Sequence, residues 1–242
     1  AVGHVIGRTD WDEACTKEIN PKVQYHFCNE SLRDSFYSGS WEYQNCEKHS
    51  IFMSQAATPI KGLHFMLRAM PEILKNYPDA HLYVAGNDLT KTDSLYGKLK
   101  ISSFAKYIKR LISEYNLEEK VTFTGSLTEQ KMKERFLKSN VFVSPSTIEN
   151  SPNSLGEAML LGVPCISSDV GGVKNMLVHN LEGYIYQADA PYMIAYYVKK
   201  VFNEADCALI ISKNAKSHAG KTHNRDENLK MLLKIYGELY EQ

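Results

Sequence analysis

The stretch 141–172, VFVSPSTIENSPNSLGEAMLLGVPCISSDVGG, constrains this chain more than any other. It reads as strand, loop, helix, strand and glycine loop. VFVSPS is a short apolar run closed by turn residues, and PCISSD is a second one. Between them Ser151 precedes Pro152, a good N-cap before a proline at the first helical position. The helix SPNSLGEAMLL then stops at Gly162, with Pro164 just beyond. Strands and helices joined this tightly ask for a parallel α/β layer.

A helix start presents unpaired N–H groups and a partial positive charge, which favour an anion such as phosphate. Pro152 has no N–H, so the amides of Asn153, Ser154 and Leu155 are the expected donors. Glu149 and Glu157 frame that start. A carboxylate repels phosphate and only accepts hydrogen bonds, so both acids suit hydroxyl groups on either side of it. At ~1.5 Å rise per residue, Glu157 lies roughly 8–9 Å along the helix from Ser151. A ligand with sugar hydroxyls at both ends and phosphate between them, a nucleotide sugar, fits this pattern. A surface cap followed by a solvated glutamate fits the spacing equally well.

The run Glu149-Asn-Ser-Pro-Asn-Ser-Leu-Gly-Glu157 resembles the E-x7-E signature of retaining glycosyltransferases of family 4, the group 1 transferases with the GT-B fold. Pro152, Asn153, Glu157, Ala158, Met159, Gly162 and Pro164 fall in place with it, followed by Asp169-Val-Gly171-Gly172. The resemblance covers about residues 47–242. It implies the donor-binding, Rossmann-like half of a GT-B enzyme. It further implies that Glu149 holds the donor sugar, Glu157 the ribose, and Lys61 with the Asn153, Ser154 and Leu155 amides the diphosphate. Gly125 would lie near the nucleobase, and Glu149 and Lys61 would be the catalytic pair. One position departs from the pattern. The family usually carries an arginine where this chain has Gln55, six residues before Lys61. Either another basic group supplies that charge, or the diphosphate is handled differently here.

The rest of the chain agrees with this fold. SIFMSQ, AHLYVAG, KVTFTG and GYIYQ read as further strands, separated by amphipathic helices. The helix after Lys61 places Leu63, Met66, Leu67, Met70, Ile73 and Leu74 on one stripe. The expected fold is therefore α/β, a Rossmann-like, doubly wound parallel sheet with helices on both faces. Ligands in such sheets bind beyond the carboxyl ends of the strands. Lys61, Gly125, Glu149 and Gly171 all follow strand ends and should gather on one rim. Gly62 is expected to let a ligand approach the backbone. No G-x-G-x-x-G or G-x-x-x-x-G-K-[ST] motif points to a dinucleotide dehydrogenase or a P-loop ATPase.

Residues 1–47 show no sustained period and read as a connector. Residues 48–224 read as the nucleotide-sugar-binding domain and 225–242 as a crossover helix. Asp10-Trp11-Asp12 matches a D-x-D metal pattern, but any two acids two apart do so, and a loop turn is preferred with no metal assigned. Lys98, Lys100, Lys106, Lys109 and Arg110 share one helix. Such a helix could brush an anionic membrane, although a solvated basic face is the simpler reading.

A formal net charge of zero excludes broad electrostatic capture of nucleic acid. The five scattered cysteines include no C-x-x-C pair, which favours a reducing, cytoplasmic setting over a disulfide or zinc framework. The chain begins at AVGHVIG and reads as a piece of a longer enzyme, whose further domain would take an acceptor glycan or lipid-linked sugar. The expected reaction is transfer of a sugar, with retention, from a nucleotide diphosphate donor to an acceptor hydroxyl in polysaccharide assembly. The donor is a substrate, with a UDP-sugar preferred, and no cofactor is implied. This chain alone should bind donor weakly and transfer nothing. A non-catalytic nucleotide-sugar-binding module and an epimerase of the same fold stand as alternatives.

Overall fold

The computed structural model describes residues 2–91 and 102–240. Its centre is a six-stranded, wholly parallel sheet: β3 (Glu47–Met53), β4 (His81–Val84), β5 (Val121–Phe123), β6 (Ser139–Ser144), β7 (Cys165–Ser168) and β8 (Tyr184–Tyr186). Their spatial order is β5-β4-β3-β6-β7-β8. The chain builds outward from β3 to one edge, returns to the middle at β6, and builds outward to the other.

Each middle strand carries an apolar triplet without alternation, because both faces of the sheet are covered. Ile51, Phe52 and Met53 of β3 and Val141, Phe142 and Val143 of β6 are all buried. Helices pack in two sets. One joins α2 (Leu63–Leu74), α3 (Ser103–Glu114) and α7 (Pro191–Asn203). The other joins α4 (Glu129–Lys138), α5 (Asn153–Leu161) and α8 (Ala205–Thr222), while a single turn, α6 (Val173–Met176), follows β7. The expected stripe of α2 is buried at Leu63, Met66, Leu67, Met70 and Ile73, with Leu74 half-buried at its edge. Phe136 of α4 stands edge-on to both Phe52 and Phe36, at centroid distances of 4.9 and 5.9 Å.

The expected helix over 95–116 begins, within the described residues, at Ser103, and Lys98 and Lys100 lie outside them. On α3, Lys106, Lys109 and Arg110 face outward, opposite the buried Ala105, Ile108 and Leu111. Among the described residues no helix is long and apolar enough to cross a membrane. The final helix, α9 (Arg225–Tyr240), is tied to the segment before β3. Arg225 pairs with Asp34 and stacks 4.0 Å from the Tyr37 ring, and the Tyr37 hydroxyl donates to the His223 carbonyl at 2.7 Å.

The first thirty residues hold regular structure that hydrophobic patterning does not reveal. β1 (His4–Gly7), α1 (Asp10–Ile19) and β2 (Gln24–Phe27) form a second, two-stranded parallel ribbon with its own crossover helix. Each strand has four residues and mixed burial, too short to display a period. The acids of the D-x-D pattern lie in the first turn of α1, where the expected loop turn is replaced by a capping box. The Thr9 hydroxyl accepts from the Asp12 amide at 3.1 Å, and the Asp12 carboxylate accepts from the Thr9 and Arg8 amides. The Tyr25 hydroxyl and the Asn150 side-chain amide donate to the same carboxylate. Burial works to raise the Asp12 pKa, but the bond from Tyr25 and those from Arg8, Asn150 and Thr9 outweigh it and hold it below the ordinary value.

A carboxyl depressed in the folded state contributes stability above its unfolded value, about 4, and loses it as pH falls through the folded value. Asp12→Asn should therefore flatten the acid limb of the stability curve below about pH 4. Urea melts at a series of pH values check this. Parallel curves for the two proteins would remove Asp12 from the acid transition.

Candidate functional site

In this strand order the winding changes sides between β3 and β6, the switch point at which parallel sheets bind ligands beyond the strands' carboxyl ends. Ser54 and Gln55 leave β3 there, and Pro145 and Ser146 leave β6. A short 3-10 turn, Pro59–Lys61, brings Lys61 back to the same point. The Lys61 ammonium donates to Glu149 Oε1 at 2.6 Å, and the Ser146 hydroxyl donates to that oxygen at 2.8 Å. Lys61 and Glu149, expected on the same ligand, thus meet each other directly. The Glu149 side chain is 14% exposed and that of Lys61 25%, so the pair is partly withdrawn from water.

Glycines allow the loops to close up. Gly62 has φ +75°, and a Cβ there would lie 1.8 Å from the Pro145 carbonyl oxygen. On the side where a Cβ would stand, the close neighbour of Gly62 is thus backbone of the loop after β6. Gly171 has φ +50°, and its Cβ would lie 1.7 Å from the Glu149 carbonyl oxygen. A Cβ on Gly172 would meet Thr9 at 2.3 Å and the Asn150 carbonyl at 2.5 Å.

The start of α5 differs from the expected cap by one residue. Pro152 itself is the N-cap, with no side-chain hydrogen bond, and the Ser151 hydroxyl turns to Met176 Sδ at 3.4 Å. The Leu155 amide donates to the Pro152 carbonyl at 2.9 Å. The three expected donors are therefore corrected to two, Asn153 and Ser154, whose amides have no acceptor among the described residues. The Asn153 side chain does not cap its own helix either, since its Oδ1 accepts from Arg8 at 3.4 Å. Arg8 in turn pairs with Glu30 at 2.5 Å.

Asn153, Ser154 and Glu157 open onto a cavity of about 460 Å³ that Ser31, Arg33 and Gln55 also line. Glu157 is 3% exposed and does not stand free. Arg33 donates to it bidentately, Nε to Oε1 at 2.6 Å and Nη2 to Oε2 at 2.7 Å. These bonds raise the Arg33 pKa, against the opposing effect of burial. Gly125 lies two residues past β5, the edge strand, with φ +73°, and pairs backbone to backbone with Gly86, which follows β4.

Arg33, Arg8, Ser146 and Asn150 escape a reading of the sequence, because each acts on a partner or through a loop that only the fold brings near. Thr9 is different. Its spacing of three to Asp12 is the local signature of a capping box.

The fold matches solved transferases. Sucrose-phosphate synthase from Thermosynechococcus elongatus superposes with a TM-score of 0.80 at 20% identity, covering 98% of this chain and 58% of that one. Anabaena HepE, crystallised with UDP and glucose, superposes with a TM-score of 0.78 at 16% identity, covering 99% of this chain and 64% of HepE. The sheet is thus of the Rossmann-like kind found in GT-B glycosyltransferases. In sequence, an uncharacterized glycosyltransferase of Methanocaldococcus jannaschii is 27% identical over 193 residues, 80% of this chain. The chain spans 45% of that relative's length. Residues 43–218 match the family described as glycosyl transferases group 1. That match takes in most of the chain, which belongs to this family.

Proposed function

We propose that the chain binds the nucleotide sugar of a group 1 glycosyltransferase, and that the enzyme carrying it transfers the sugar to an acceptor hydroxyl with retention. The observation that carries this reading is the start of α5. Two amides with no acceptor and no capping side chain among the described residues open at the switch point of a parallel sheet beside a Lys61–Glu149 pair. A diphosphate resting on those amides would have Lys61 on one side and the 460 Å³ cavity on the other. Glu149 would then take hydroxyls of the donor sugar, and Glu157, which lines that cavity, those of the ribose. As the sugar–phosphate bond breaks, charge grows on the leaving diphosphate, where Lys61 and the helix start stabilise it. The UDP held by Anabaena HepE favours uridine nucleotides as the first donors to test.

Titration calorimetry with UDP-, GDP- and ADP-glucose tests the reading. One nucleotide class should bind, and Glu157→Ala should weaken it about tenfold through loss of the ribose hydrogen bonds. An unchanged affinity in that variant would remove Glu157 from the ribose. No binding by any of the three would count against the donor site itself.

A further inference from the structure

Glu157 is buried, and both of its oxygens already have donors. The Arg33 fork takes one acceptor site on each oxygen, and with the Glu157 side chain only 4% exposed a ribose reaches that carboxylate by taking the place of the guanidinium. We infer that Arg33 is an exchangeable ligand of the nucleotide: it yields Glu157 to the ribose hydroxyls and turns its guanidinium onto the diphosphate, resting on the donor site proposed above.

Three observations carry this. A buried carboxylate tolerates a change of donor but not a loss of donors, so ribose hydroxyls can replace the guanidinium there. Arg33 can move. Its side chain is 42% exposed, on the segment between β2 and the 3-10 turn Asp34–Tyr37, and among the described residues Glu157 and the Phe36 ring face, 4.7 Å away, hold the guanidinium, with the Glu129 charge nearby. The place to which it would move is in the same cavity, where the Asn153 and Ser154 amides lack acceptors. A guanidinium fork that grips a carboxylate bidentately grips a phosphate equally well. Of the neighbouring cations, Lys61 is held on Glu149, and Arg8 is shared between Glu30 and Asn153 Oδ1.

The exchange makes a distinctive demand on the ligand. A nucleoside would evict Arg33 and give it no new anion, whereas a nucleoside diphosphate supplies both partners. Affinities for uridine and UDP, or for the guanosine or adenosine pair if that base is preferred, should therefore be measured on the chain and on Arg33→Ala. Wild type should favour the diphosphate over the nucleoside by more than ~100-fold. Arg33→Ala should weaken the diphosphate at least about tenfold and leave the nucleoside unchanged or tighter, so that the ratio collapses. Arg33→Lys, with charge but no fork, should fall between. Should the alanine variant fold poorly, Arg33→Gln keeps a donor for Glu157 without charge and reads the same ratio. A ratio that stays constant, with both ligands shifting together, would make Arg33 only a support for Glu157 and overturn the exchange. Tighter UDP binding in the variants would overturn it too. A wild-type chain that binds no nucleotide would remove the donor site along with it.

Discussion

Replacing Lys61 with alanine in the full-length transferase should lower kcat roughly 10²–10³-fold while the donor KM moves less than about tenfold. The asymmetry follows from where the charge is needed. On the proposed donor site a ground-state diphosphate would already rest on the Asn153 and Ser154 amides, which have no acceptor among the described residues, so Lys61 would add little that the helix start does not provide. In the transition state negative charge accumulates on the departing phosphate, and a preorganised cation becomes worth about 2.7–4 kcal/mol. The preorganisation is visible in the contact with Glu149 at 2.6 Å, which fixes the ammonium before substrate arrives. Lys61→Met, nearly equal in length, separates loss of charge from loss of packing and should behave like alanine. If kcat stayed within about threefold of wild type, Lys61 would be a structural partner of Glu149 and leaving-group stabilisation would have to come from elsewhere.

The largest effect on stability is expected from the smallest substitution at the rim. Gly171→Ala combines a left-handed backbone with a methyl placed 1.7 Å from the Glu149 carbonyl oxygen, so one of two backbones must move. A loss of about 2–4 kcal/mol should result, or roughly 5–15 °C in melting temperature for a chain of this size. Gly220→Ala is the natural control. Gly220 lies inside α8 and a methyl there would meet nothing within 4 Å, so the same change should gain about 0.5–1 kcal/mol from helix propensity. Calorimetric melts of the two variants side by side decide the matter. Equal melting temperatures would mean that the rim relaxes around the added methyl.

The division between what sequence reveals and what it hides follows physical range. The central sheet is legible because the apolar runs Ile51–Met53 of β3 and Val141–Val143 of β6 are buried on both faces and show no alternation. The helix stop at Gly162 is legible because only a left-handed residue ends a helix that way, and Gly162 has φ +80°. Lys61, Glu149 and Asn153 can be singled out because strand ends and a helix start are local features. Errors of one residue enter where local rules compete. Ser151 is the better capping residue, yet its hydroxyl packs on Met176 and the helix begins at Pro152 unaided. Leu155 is then lost as a donor to the tight turn at Pro152. What stays hidden is long-range pairing. No periodicity links Arg33 to Glu157, 124 residues later, or Asn150 to Asp12. The ribbon of β1 and β2 is hidden for a different reason, because four-residue strands carry too few positions to show a pattern.

The three glycine contacts at the rim have a mechanical meaning. With Gly62 pressed on Pro145, and Gly171 and Gly172 on Glu149 and Asn150, the loops leaving β3, β6 and β7 touch main chain to main chain. No side-chain cushion separates them to absorb a displacement. A pull on any one loop is carried straight to the others, and the ribbon at Thr9 is clamped into the same stack. The rim should accordingly open and shut as a single stiff collar, its amides exchanging hydrogen at a common rate.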